Sequence, residues 1–110
     1  MFNVNAALLD ALVLAVTDKG DTYGYEITRV LKNSLGISES TLYPVLRRLQ
    51  KDGCLEIYDR ECSGRNRRYY KITGAGRSQL LSYREEWERY SLVISDLFKG
   101  VINNDEKGVS

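Results

Sequence analysis

One stretch limits the fold more than any other part of the chain: ISESTLYPVLRRLQKDGCLEIYDRECSGRNRRYYKIT, residues 37 to 73. Its first third places Leu42, Val45, Leu46 and Leu49 at i, i+3, i+4 and i+7, the single apolar stripe of an amphipathic helix. At 3.6 residues per turn, Ser40, Pro44, Arg47 and Lys51 point away from that stripe, with Tyr43 and Arg48 on its flanks. CLEIYDR then alternates apolar and polar residues, ECSGRN supplies turn chemistry, and RRYYKIT alternates again. The pattern predicts a β-hairpin with Arg65, Arg67 and Arg68 near its tip.

The preceding residues supply two more helices. The first is predicted from about Asn5 to Thr17, with Leu8, Leu9, Leu12, Val13 and Val16 on its inner side, and DKGD stops it. Asp21 or Thr22 is expected to cap a second helix over roughly 23–35, whose inner residues are Ile27, Val30, Leu31 and Tyr23. Gly36 makes the turn and Ser38 caps the third helix. Three helices followed by a hairpin give a fold that is mainly α with a small β-hairpin, a winged helix-turn-helix over residues 1–73.

A helix docked by its leucines offers its polar face outward. B-DNA's major groove is about one α-helix wide, arginine bonds guanine O6 and N7 in bidentate fashion, and hydroxyls meet base edges or phosphates. Solvated charge on an ordinary surface helix would look the same, and the hairpin is what favours DNA. Arginines on an extended turn lie along phosphates or enter a minor groove, and Ser63 and Asn66 add hydrogen-bond donors. The expected contact set is Ser38, Ser40, Thr41, Tyr43, Pro44, Arg47, Lys51, Arg65, Asn66, Arg67 and Arg68. Net charge is only +1, so its distribution matters more than its sum. Lys and Arg against Asp and Glu number three to five in residues 1–46, nine to four in 47–77 and four to six in 78–110. The positive excess falls on the third helix and hairpin, where phosphate contacts would need it.

Three segments, GDTYGYEI (20–27), STLYPVLRRLQKDG (40–53) and GRNRRYYKIT (64–73), resemble the PadR family of bacterial transcriptional regulators, and the likeness runs along nearly the whole chain. The resemblance implies a homodimeric winged helix-turn-helix protein, usually a repressor of an inverted-repeat operator, released by a small molecule or another signal. It also bears on Pro44, which removes a backbone donor and crowds the Ser40 carbonyl, so that local rules alone would start the helix at Tyr43. Proline at this place belongs to the family-like motif, and the longer helix, with a slight bend or tight first turn, is expected.

The last helix, over residues 74–100, carries Leu80, Tyr83, Trp87, Tyr90, Ile94, Leu97 and Val101 at alternating spacings of three and four, a heptad seam. Thr73 is expected to cap it, Gly74 and Gly76 to weaken its start, and Gly100 to end it. About 25 residues span roughly 37 Å, more than a small winged domain covers. The early part of the seam is expected against its own domain and the later part against a second copy, which makes these seven residues the candidate dimer interface. A two-fold dimer would set two third helices about 34 Å apart, for successive major grooves. Some relatives bind flat aromatic compounds between tryptophans at this interface, so the resemblance permits a pocket for a planar aromatic effector lined by Leu8, Leu12, Tyr83, Trp87 and Tyr90. A filled aromatic interface core is the alternative.

The remaining features exclude rather than assign. No leader opens the chain, so a cytoplasmic protein, on the nucleoid when bound to DNA, is expected, and AALLDALVLAV (6–16) is too short and too polar at Asp10 to span a membrane. With no histidine and only Cys54 and Cys62, no metal or cofactor is expected. Cys54 reads as strand packing and Cys62 as hairpin surface, with thiol sensing by Cys62 a further option. No base, phosphate loop or nucleophile pair suggests an enzyme. The competing function class is a winged helix used for protein contact without DNA. The tail, 101–110, is expected to stay without fixed structure.

Overall fold

A computed structural model describes residues 5–100. Asn5 Oδ1 accepts the Leu8 N–H at 2.8 Å and starts α1, Ala6–Asp18. β1, Thr22–Tyr23, leads into α2, Gly24–Leu35, and Gly36 ends α2 in the left-handed region with φ 72°. Ser38 Oγ accepts from the Thr41 N–H and opens α3, Glu39–Lys51. β2, Leu55–Cys62, and β3, Arg65–Ile72, form the hairpin, and α4 runs Gly74–Lys99.

Two local expectations change here. The hairpin is part of a three-stranded antiparallel sheet in the order β1-β3-β2, because Thr22 and Tyr23 pair with Tyr70 and Tyr69. Neither Asp21 nor Thr22 caps α2. Thr22 is committed to the strand, Asp21 accepts a 2.7 Å hydrogen bond from the Tyr58 hydroxyl, and Tyr23 stands at the cap position with no side-chain bond.

The core lies between the three N-terminal helices and one face of the sheet. Val13, Leu14, Ile27, Leu42 and Leu46 are fully buried, with Leu49 and Leu55 nearly so. α1 is turned relative to its expected inner side. Leu9, Asp10, Val13, Leu14 and Thr17 are buried, while Leu8, Leu12 and Val16 are half-buried. The buried arc is centred one residue further round because Asp10 faces inward to meet Arg48 of α3, and the adjoining apolar residues turn with it. In α2, Ile27 and Leu31 are buried as expected, and Val30 and Tyr23 only half so. Thr28 takes the remaining inner place, its hydroxyl donating to the Tyr25 carbonyl at 2.9 Å.

The hairpin closes through Ser63 and Gly64, both with positive φ (56° and 77°), a two-residue turn of the kind that matches strand twist. Thr73 Oγ1 then accepts the Gly76 N–H at 3.0 Å and donates to the Gly53 carbonyl at 2.7 Å, so α4 starts against the α3–β2 connection. Gly76 is a close-approach residue, not merely a weak helix former. A Cβ there would lie 2.3 Å from the Cys54 carbonyl oxygen and 2.9 Å from Ile72 Cγ1.

Leu80 is 4% exposed and belongs to this core, which removes it from the candidate dimer surface. Tyr83 packs half-buried against the same cluster. Beyond it, from Arg84 to Lys99, only Ser91 and Asp96 are even half-buried. At 26 residues, α4 is about 39 Å long. Most of that length is therefore left uncovered by the described residues of its own chain. Val101 and the tail 101–110 lie outside the described residues.

A Gly76→Ala variant should lose about 1–3 kcal/mol of stability, since the rigid carbonyl of Cys54 cannot yield as a flexible side chain would. Urea denaturation of the variant beside the parent protein measures it.

Candidate nucleic-acid interface

The stripe Leu42, Val45, Leu46 and Leu49 is buried throughout, at 6% exposure or less, and it fixes which residues of α3 face outward. Ser38, Ser40, Thr41, Tyr43, Pro44, Arg47 and Lys51 are all exposed. The Ser38 hydroxyl lies 3.1 Å from that of Ser40 and 2.9 Å from that of Thr41, which gathers three hydroxyls at the exposed N-terminus of α3. Pro44 leaves the Ser40 carbonyl without its helical donor, yet α3 is one continuous helix across it.

Arg47 and Arg48, adjacent in sequence, part company here. Arg48 turns back onto α1 and forms a bidentate pair with Asp10, its two Nη atoms donating at 2.9 and 2.5 Å to the two carboxylate oxygens. The carboxylate holds the Arg48 guanidinium above its ordinary range. Arg47 and Lys51, by contrast, make no ion pair among the described residues.

Strand alternation divides the hairpin residues between two faces. Asn66 and Arg68 share the face of buried Tyr70 and Ile72, which looks toward the helices. Arg68 is exposed and stands opposite Asp59, 4.0 Å from its carboxylate, a separation that contributes little at a solvated surface. Burial pushes the Tyr70 hydroxyl up, and nearby Arg68 and Arg47 pull it back, which places an arginine from α3 and one from β3 around the same ring. Tyr43, Arg67, Arg68 and Tyr70 line one shallow hollow with Tyr23, Gly24 and Tyr25. Arg65 follows the turn directly and is exposed.

Arg67 differs from its neighbours. It is half-buried and leaves the strand on the opposite face from Arg68, yet it still borders the same hollow, with its guanidinium carbon 4.4 Å from the centre of the Tyr23 ring. Sequence reasoning missed this stack and the Asp10–Arg48 pair. A signal existed for both: adjacent strand residues cannot share a face, and a lone carboxylate in AALLDALVLAV needs a cation.

On α4, Trp87, Tyr90, Ile94 and Leu97 are 43–66% exposed, an open apolar stripe. Val93 and Phe98, at 49% and 87%, widen it beyond the heptad positions. Tyr83 and Tyr90 border two different hollows, neither of which includes Leu8, Leu12 or Trp87. Tyr83 lines one with Asp10 and Gln79, and Tyr90 another with Arg89 and Val93. Cys54 is buried, its thiol donates to Gln79 Oε1 at 3.2 Å, and burial pushes it up, so it stays protonated; Cys62 is exposed beside the turn. Among the described residues no three His, Cys, Asp or Glu side chains gather as a metal site, and no helix is long and apolar enough to cross a membrane.

Residues 13–82 match the Transcriptional regulator PadR-like family. This chain belongs to that family. Its winged helix with a C-terminal helix is the PadR-like architecture, and the family's members are transcriptional regulators, not enzymes. An uncharacterised protein of Lysinibacillus sphaericus is 39% identical over 95 residues, covering 82% of this chain and 86% of the relative. The crystal structure of smu.1704 from Streptococcus mutans UA159 superposes with a TM-score of 0.84 at 40% identity, covering 90% of this chain and 93% of that one. Bacillus subtilis PadR in complex with operator DNA superposes with a TM-score of 0.62 at 26% identity, covering 68% of this chain and 45% of that longer one.

Arg48→Ala should cost on the order of 1–3 kcal/mol, because it strands the Asp10 carboxylate, whose side chain is 12% exposed, without a partner. Thermal or urea unfolding reads the loss, and a neutral result would show that water reaches Asp10 freely.

Proposed function

We propose that two copies of this PadR-like chain, joined along α4, bind an inverted-repeat DNA operator and repress the gene beside it. The reading is carried by one observation: Arg47 and Lys51 of α3 and Arg65 of the hairpin are exposed and free of ion pairs among the described residues, on a protein whose net charge is near zero. Cations left uncompensated beside an exposed helix face suit a polyanion with a groove. The operator complex of the Bacillus subtilis relative supports the same reading.

In this proposal residues 1–73 are the reading head and 74–100 the clasp. α3 enters the major groove, with Arg47 directed at base edges and Lys51 and the Ser38–Ser40–Thr41 hydroxyls at base edges or phosphates. Arg68, Asn66 and Arg65 follow the backbone or the minor groove. The open stripe from Trp87 to Leu97 supports a second copy as its cover, since apolar area of this extent on one helix is rarely left in water. A planar aromatic effector held between the two copies, against Tyr83, Trp87 and Tyr90, would bias the spacing of the heads. What supports that part is that Trp87 and Tyr90 are exposed and follow half-buried Tyr83 along one face of α4.

The test is selection of duplexes from a random-sequence pool by the full-length protein, which should return a palindrome. Arg47→Ala should then weaken binding to the selected duplex by about 1–3 kcal/mol while leaving a scrambled duplex unaffected, and equal loss on both would make Arg47 a phosphate contact. Ile94→Glu should give a monomer by sedimentation and lose the selected duplex; a variant that remains dimeric would place the interface elsewhere.

A further inference from the structure

The outward face of the sheet carries a side-chain array that the DNA reading leaves unused. Register sets Tyr69 of β3 between Tyr23 of β1 and Tyr58 of β2. Tyr69 meets Tyr23 edge-on at 5.6 Å and stacks on Tyr58 at 5.5 Å. Arg67 lies over the Tyr23 ring at 4.4 Å, Arg60 lies 5.4 Å from the Tyr69 ring, and the Tyr58 hydroxyl reaches back to Asp21 at 2.7 Å. Both ends of the array thus sit on Asp21 and Tyr23, the residues that lead into α2.

The mechanical problem this solves is visible in the sheet. Past Tyr58 and Tyr69 the hairpin is a two-stranded ribbon, a form barely stable by itself in water. β1 is only two residues long and offers little backbone pairing to hold it. Aromatic pairs each add about 0.5–1.5 kcal/mol beyond their buried area, and a guanidinium over a tyrosine adds about 0.5–2 kcal/mol as it leaves water. The Arg67 Nε is buried with no hydrogen-bond partner among the described residues, as fits a guanidinium laid against a ring face.

We infer that Arg67 and the tyrosines 23, 58 and 69 form a strut that fixes the angle of the hairpin to the helices, so that Arg67 is a positioning residue for DNA binding and not a phosphate contact. The inference rests on the DNA reading above and revises the role that the basic tip suggested for Arg67. It divides the hairpin arginines by strand phase: Arg68 is presented, and Arg67 holds.

Two measurements on the full-length protein test it separately. The first is the dependence of affinity on salt, using the duplex returned by selection. Removing a phosphate contact lowers the slope of log K against log salt by about one, the result expected for Arg68→Ala. Arg67→Ala should instead reduce affinity roughly five- to tenfold with the parent slope, as expected when only a cation–π contact is lost. The second is amide hydrogen exchange of the protein without DNA. Arg67→Ala and Tyr23→Leu should each speed exchange in the hairpin between Arg60 and Arg68 by about tenfold, and Tyr23→Phe, which keeps the ring, should match the parent. A slope reduced by one in Arg67→Ala with hairpin exchange unchanged would overturn the inference, as would Tyr23→Phe behaving like Tyr23→Leu. If the parent protein bound no duplex, the DNA reading would fall, and exchange alone would still decide whether the strut exists.

Discussion

A single carboxylate sets the geometry on which the rest depends. Asp10 sits in the buried arc of α1, where an unpaired charge is costly, and among the described residues the cation that pairs with it comes from α3, 38 residues later in the chain. Once Arg48 is drawn inward to that carboxylate, the rotation of α3 about its own axis is settled. Leu42, Leu46 and Leu49 fall onto the core, and Arg47, about 100° round the helix, is turned to solvent. The apolar stripe alone would allow a few tens of degrees of play. A bidentate guanidinium–carboxylate contact has much less, because both oxygens and both nitrogens must be aligned together.

The same economy governs the hairpin. Its strands are specified by alternation, but its angle to the helices is specified by what stands on the outer face. Three tyrosines from three strands meet there, and two arginines lie against them. Aromatic rings are stiff, with two side-chain torsions each, so an array of them transmits position with little loss of order. The domain therefore controls its two outward elements by different chemistries: an ion pair for α3 and ring contacts for the hairpin.

How much of this could be read in the sequence varied with the distance over which each feature is decided. The stripes of α3 and α4 repeat every three to four residues, and the left-handed Gly36, the Ser38 cap and the Thr73 cap obey rules only a few residues long; all were legible. β1 was not, because a two-residue strand has no pattern and exists only through pairing with Tyr69 and Tyr70, some 47 residues away. Gly76 looked like a poor helix former because propensity describes a helix in water, whereas its use is to let α4 lie on the Cys54 carbonyl. The family resemblance settled Pro44, where local rules pointed to a shorter helix. The contact set assembled from the basic residues is exposed as expected, apart from Arg67, and strand alternation separates Arg67 from Arg68 without any structure.

The uninterrupted course of α4 has a consequence for how such proteins diverge. From Gly74, seated on the winged helix, to Lys99 there is no joint at which an error could be absorbed. Inserting one residue between Leu80 and Trp87 would swing the outer half by about 100° and advance it by about 1.5 Å, taking the aromatic face out of register with whatever it meets. Seven residues, close to two full turns, would nearly restore the phase while lengthening the rod by roughly 10 Å. A change in the length of this segment therefore keeps the stripe in phase only when it adds close to a whole number of turns, as about 7 or 11 residues would.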